Sequence, residues 1–85
     1  DMLYHEATFL DELKERARHT MHSTAKEAAT IAKKANVGKL IIGHYSQRYF
    51  DLDPLLNEAK VIFPETYLAI EGKSFDVKRE YGSDS

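Results

Sequence analysis

The sequence predicts an α/β fold with helices packed on a largely parallel sheet, and three observations carry that prediction. Residues 2–7 and 40–43 are short apolar runs of strand length. Between them, alanines recur at helical spacing behind the pattern Thr24-Ala-Lys-Glu27. A strand, a helix and a second strand in that order form a crossover unit, which belongs to layered α/β architecture.

The elements follow in chain order. Residues 2–7 read as a first strand. Residues 10–19 carry Leu10, Leu13 and Ala17 at helical spacing with charges between them, giving a short amphipathic helix. Thr24 and Glu27 then form a capping box, in which the threonine accepts from a free amide and the glutamate reaches back. Ala25, Ala28, Ala29, Ala32 and Ala35 make a stripe that lets this second helix lie close against a sheet. Asn36-Val-Gly38 ends it with residues that tolerate a left-handed backbone. The strand at 40–43 is apolar on both faces, as a central parallel strand should be. Asp53-Pro54 is read as a cap and first-turn proline for a third helix carrying Leu55, Leu56, Ala59 and Ile62 or Phe63, which Pro64 stops. A strand at 67–70 and a weaker one at 74–77 complete the order β-α-α-β-α-β-β. Residues 78–85 are polar and aperiodic, and read as a flexible tail beyond a single unit at 1–77.

Composition narrows the function. The chain has 85 residues, 42% hydrophobic and 31% charged, which suits one small globular unit. At this size only about 60% of the unfolded surface can be buried, so added stability from a metal or a partner is expected. There is no cysteine, which excludes disulfides, thiolate metal sites and thiol catalysis. No apolar run nears the roughly 18 residues that span a bilayer, and no signal peptide is evident, so the expected compartment is the cytoplasm. A net charge of −2 gives no broad basic footprint for a polyanion. The chain enters its first strand at once, as though a preceding portion lay elsewhere, and the expectation is a fragment.

Histidine is where the chemistry concentrates. Of four histidines, His5 closes the first strand, His22 precedes the alanine helix and His44 follows the second strand. Such junctions gather at the carboxyl edge of a parallel sheet, where α/β proteins meet their ligands. Neutral imidazole offers a metal a lone pair, and imidazolium gives up a proton near neutral pH. The alternative for each is a capping or half-buried structural role. There is no HxH or HExxH spacing, so a tight metal site needs ligands from outside these residues. Glu6, Asp11, Asp51 and Asp53 are candidate carboxylates, of which Asp53 reads better as a helix cap and Asp11 as first-turn charge. Arg48 can hold a phosphate in a fork, and Tyr45 or Tyr49 can stack on a base, against the alternative of a salt-bridged arginine beside core tyrosines.

Three motifs taken together are more specific. HEATF at 5–9, HSTAKEAA at 22–29 and GHYSQRY at 43–49 stand in the order seen in the carboxyl-terminal part of the ribonuclease Z family, which they resemble. NEAKVIFPETYLA, which follows, is similar to that family's final helix and strand. The family comprises zinc-dependent transfer-RNA 3′-processing endonucleases of the metallo-β-lactamase superfamily. The resemblance implies that the chain is one αβ portion of a four-layer αββα sandwich with two zinc ions at its edge. It implies His44 as the last zinc ligand and His22 as proton donor to the leaving oxygen, with His5 and Glu6 lining and supporting the site. Ser46 and Arg48 fall in the family's HxSxRY pattern, which implies substrate binding, with either a phosphate-contacting or a structural role for Arg48. The implied partners are precursor transfer RNA, a missing amino-terminal portion of the same protein, and a second subunit in a homodimer, with no membrane. The HxHxDH cluster, the bridging aspartate, a further metal histidine and the RNA-gripping arm are not among these residues, so the 85 residues alone are expected to be inactive. Two other readings are a different phosphodiesterase of the same superfamily and a non-catalytic α/β binding or assembly module.

Overall fold

A computed structural model describes residues 1–69. The strand read at 74–77 and the tail at 78–85 lie outside the described residues. Strand β1 (Met2–Glu6) is followed by a 3-10 turn (Asp11–Leu13), helix α1 (Lys14–His19), helix α2 (Ala25–Ala35), strand β2 (Lys39–Gly43), helix α3 (Asp53–Ile62) and strand β3 (Thr66–Leu68). The strands form one parallel sheet in the order β1-β2-β3. The α/β class read from the sequence is the one observed.

Register explains which face is covered. Leu3 pairs with Leu40 and Leu40 with Thr66, while two residues on His5 pairs with Ile42 and Ile42 with Leu68. Alternate residues of a strand share a face, so this face is the one on which α2 and α3 pack. Leu40, Ile42, Leu55 and Ala59 are fully buried there, with Ala25, Ala28, Ala29 and Ala32 from α2. The opposite face carries Met2, Tyr4 and Tyr67, at 67%, 54% and 43% exposure. The described helices leave this face uncovered.

Local chemistry sets the helix ends. The capping box is present in full: Glu27 donates its amide to Thr24 Oγ1 at 3.1 Å, and Thr24 donates its amide to Glu27 Oε1 at 2.9 Å. Asn36 ends α2 in the left-handed conformation at φ 56°. Ala35 differs from its expected place in the stripe. It is exposed, because the helix turns it past the edge of the sheet one residue before the cap.

The segment read as one helix over 10–19 is a 3-10 turn leading into a six-residue α-helix. Its end is a Schellman motif: the His22 amide donates to the Ala17 carbonyl at 2.7 Å and the Met21 amide to the Arg18 carbonyl at 3.2 Å. Met21 takes the left-handed position at φ 61° that glycine usually fills. Asp53 is the first residue of α3 and not its cap. Leu52 occupies the cap position, and Asp51 Oδ1 accepts the Asp53 amide at 3.0 Å.

Candidate functional site

The carboxyl ends of β1 and β2 lie side by side, with Glu6 paired to Gly43. From there the two chains stay stitched together. The Ala7 amide donates to the Gly43 carbonyl at 2.8 Å, and the Ser46 amide donates to the Thr8 carbonyl at 3.0 Å. The same loop also reaches the start of α2, through Thr8 to the Ser23 carbonyl at 3.0 Å and Ala25 to the Phe9 carbonyl at 2.9 Å. Three loops distant in sequence thus share one edge.

That edge gathers Glu6, His22 and His44. One ligand atom from each lies within 4.8 Å of the others. The His22 and His44 rings are 5.4 Å apart between centroids, and His22 meets the Phe9 ring edge-on at 6.3 Å. His44 holds its place with a left-handed backbone, φ 57°, immediately after the strand. A non-glycine residue in that region stores strain, which concentrates at functional positions.

Glu6 ties the group together. Its Oε2 accepts the Ser23 amide at 2.6 Å, its Oε1 accepts the Thr8 hydroxyl at 2.5 Å, and His22 Nδ1 lies 3.6 Å from Oε1. Burial pushes this carboxyl up, but the hydrogen bonds from Thr8 and Ser23 and the charge of His22 outweigh it, leaving the group below the usual carboxylate range.

The remaining candidates fall around the cluster. His5 is outside it: its Nδ1 lies 2.8 Å from the Glu6 carbonyl, and strand alternation sends the two side chains to opposite faces. Ser46 Oγ accepts the Arg48 amide at 3.3 Å, and the Arg48 guanidinium lies 5.6 Å from the Phe9 ring centroid, as in a cation–π contact. Phe9 therefore neighbours both His22 and Arg48. The tyrosines belong to the packing. Tyr49 accepts the Leu10 amide at 3.0 Å, and the Tyr45 hydroxyl lies 2.6 Å from the Ile42 carbonyl and 2.8 Å from that of Ala69. Asp11 accepts the Thr24 hydroxyl at 3.1 Å.

Sequence reasoning passed over two residues. Thr8, 6% exposed, touches both Glu6 and His44. Glu58 of α3 accepts the amides of Asp11, at 3.1 and 3.0 Å, and of Lys26, at 2.9 Å. Neither has a local pattern. The only available signal for Thr8 was its place in HEATF.

No protein-family model matches the chain. Curated relatives do: the protein named ribonuclease Z from Cytophaga hutchinsonii is 62% identical over 77 residues, covering 91% of this chain and 25% of the relative. Over these residues the chain is a relative of ribonuclease Z. The proteins of that name from Porphyromonas gingivalis and Parabacteroides distasonis are 53% and 56% identical over the same share of each chain. This chain spans about a quarter of the length of these ribonuclease Z relatives. The family resemblance read from the three motifs is thereby shown, and with it the assignment of the parallel sheet and its helices to part of a metallo-β-lactamase fold. The ligand atoms of Glu6, His22 and His44 lie close enough together to face one metal ion. Among the described residues no helix is long and apolar enough to cross a membrane.

Proposed function

We propose that residues 1–77 are the carboxyl-terminal part of a zinc-dependent endoribonuclease that removes 3′ trailers from precursor transfer RNA by phosphodiester hydrolysis in the cytoplasm. The convergence of Glu6, His22 and His44 at one sheet edge carries this reading, and the ribonuclease name of the relatives fits an RNA substrate.

The donor set fits zinc, for which imidazole nitrogen is a habitual ligand. Both Glu6 oxygens are already engaged by Thr8 and Ser23, so Glu6 acts on its neighbours and His44 is the zinc ligand of this chain. One imidazole cannot hold an ion tightly. The other ligands, and the site of a second ion, therefore come from the length of ribonuclease Z that these residues do not span. The exposed face with Met2, Tyr4 and Tyr67 suits the second sheet of the sandwich. When bound, zinc supplies Lewis-acid polarisation of the phosphodiester and an activated water.

What this chain contributes is proton delivery and positioning. Hydrolysis breaks the bond from phosphorus to the ribose 3′ oxygen, and that oxygen needs a proton as it leaves. Glu6 sits beside Nδ1 of His22 and orients the ring, so Nε2 is the atom that delivers the proton. His5 supports the Glu6 backbone. Arg48 and Ser46 contact the substrate phosphate, Arg48 from its seat on Phe9. The complete enzyme works as a homodimer, and the isolated 85 residues are inactive.

Cleavage of a precursor transfer RNA by the full-length protein, with bound zinc measured in parallel, tests the assignment. His44→Ala should abolish zinc-dependent cleavage and lower zinc content, and an unimpaired variant removes the ligand role. Zinc titration of the isolated 85 residues should show no tight dinuclear binding.

A further inference from the structure

The Thr8 hydroxyl stands between the two halves of the site. Its Oγ1 lies 2.5 Å from Glu6 Oε1, 2.9 Å from the His44 carbonyl oxygen and 3.3 Å from His44 Nδ1. It is 6% exposed, so these protein groups rather than bulk water decide its hydrogen bonding.

A hydroxyl has one proton to give. An ionised carboxylate and a backbone carbonyl accept only, so whichever of Glu6 and the His44 carbonyl takes the proton, Thr8 keeps only lone pairs for the imidazole. The contact at 3.3 Å is then a hydrogen bond only if Nδ1 carries the ring proton. In the neutral ring the lone pair is on Nε2. The same oxygen lies 2.9 Å from the His44 carbonyl oxygen, beside a residue held in the left-handed region at φ 57°.

We infer that Thr8 is a positioning residue that fixes His44 in the Nδ1–H tautomer and aims its Nε2 at a zinc ion, relaying the ring to the Glu6 carboxylate. This rests on the reading of His44 as a zinc ligand. Outer partners of this kind orient metal-bound histidines, and their loss costs about 10–100-fold in metal affinity. The separation of 36 positions between Thr8 and His44 explains why neither motif alone displays the pair.

The test uses the full-length zinc-loaded protein with three variants: Thr8→Val, Thr8→Ser and His44→Ala. Zinc affinity is measured by chelator competition, and the His44 ring nitrogens by nitrogen-15 NMR. Thr8→Val should weaken zinc binding about 10–100-fold. Thr8→Ser, which keeps the hydroxyl, should restore it to within a few-fold of the parent, and the parent spectrum should show a protonated Nδ1. If Thr8→Val binds zinc as the parent does while His44→Ala loses it, the inference about Thr8 is overturned and the ligand reading stands. If His44→Ala keeps full affinity, the ligand reading fails and the relay fails with it. Should Thr8→Val not fold, a parent spectrum with the proton on Nε2, or a Thr8→Ser variant as weak as His44→Ala, overturns the inference.

Discussion

The Glu6 carboxylate accepts the Ser23 amide at 2.6 Å across 17 residues of sequence, and this bond fastens the end of the first strand to the segment that opens α2. Because Ser23 follows His22 directly, the bond also fixes where the His22 ring stands. Placement of the proposed proton donor thus depends on a carboxylate from another element.

Loss of that carboxylate should show in acid. Glu6 in the folded chain titrates below the usual carboxylate range. Its contribution to stability is therefore present above the unfolded value, about 4.3, and is lost as pH falls through the depressed folded value. Denaturation of the metal-free chain, followed from about pH 6 to about pH 2, should show a steeper acid limb for the parent than for Glu6→Gln. Identical limbs would mean the shift is not felt by the fold.

Turnover and metal content should separate His22 from His44. His22→Ala is expected to lower kcat about 100-fold or more while zinc stoichiometry stays near the parent's, since an acid catalyst contributes that much without ligating. Zinc loss in this variant would show that the ligand and acid roles had been exchanged.

Glu58 should matter to stability from a distance. It accepts the amides of Asp11, shared between its two oxygens, and of Lys26, at the starts of the 3-10 turn and of α2. Glu58→Ala should cost about 1.5 kcal/mol, the lower end for bonds to a charged group, because the site is half-exposed. Urea denaturation of variant and parent measures the difference, and no change would place these bonds among those that water replaces.

Met21 holds a backbone conformation that suits glycine, and its side chain is 91% exposed. Met21→Gly removes a steric penalty of roughly 1–2 kcal/mol and adds unfolded-chain entropy that offsets part of it, so a net gain of about 0.5 kcal/mol is expected. Met21→Val should move the denaturation midpoint the other way. Equal midpoints for both variants would show that the Schellman turn relaxes without cost.

The buried alanine stripe should resist enlargement. Ala29 is fully buried among β-strand and helix neighbours, and Ala29→Leu is expected to cost about 1–3 kcal/mol by forcing α2 off the sheet. Thermal denaturation reads this directly, and an unchanged midpoint would reveal slack in the packing.

Periodicity and capping chemistry are local, and they made much of this protein legible in its sequence. Thr24 and Glu27 announce the start of α2 because the bonds they make span three residues, and Asn36 marks its end because its own backbone must turn left-handed. The run at β2 is apolar because the middle strand buries Leu40 and Ile42 beneath the helices. His22 and His44 stood out because both fall at junctions that a parallel sheet gathers on one edge. What tertiary structure alone decided are the contacts that join distant segments: Thr8 to His44, Glu6 to Ser23, and Glu58 to the starts of two helical elements. A hydrogen bond between residues 17 to 47 positions apart leaves no period in the sequence. It exists only once burial of Leu40, Ile42 and the alanine face has brought the loops to a common edge. For the same reason His5 and Glu6, adjacent in one motif, part company in space, since the alternation of a strand sends neighbours to opposite faces.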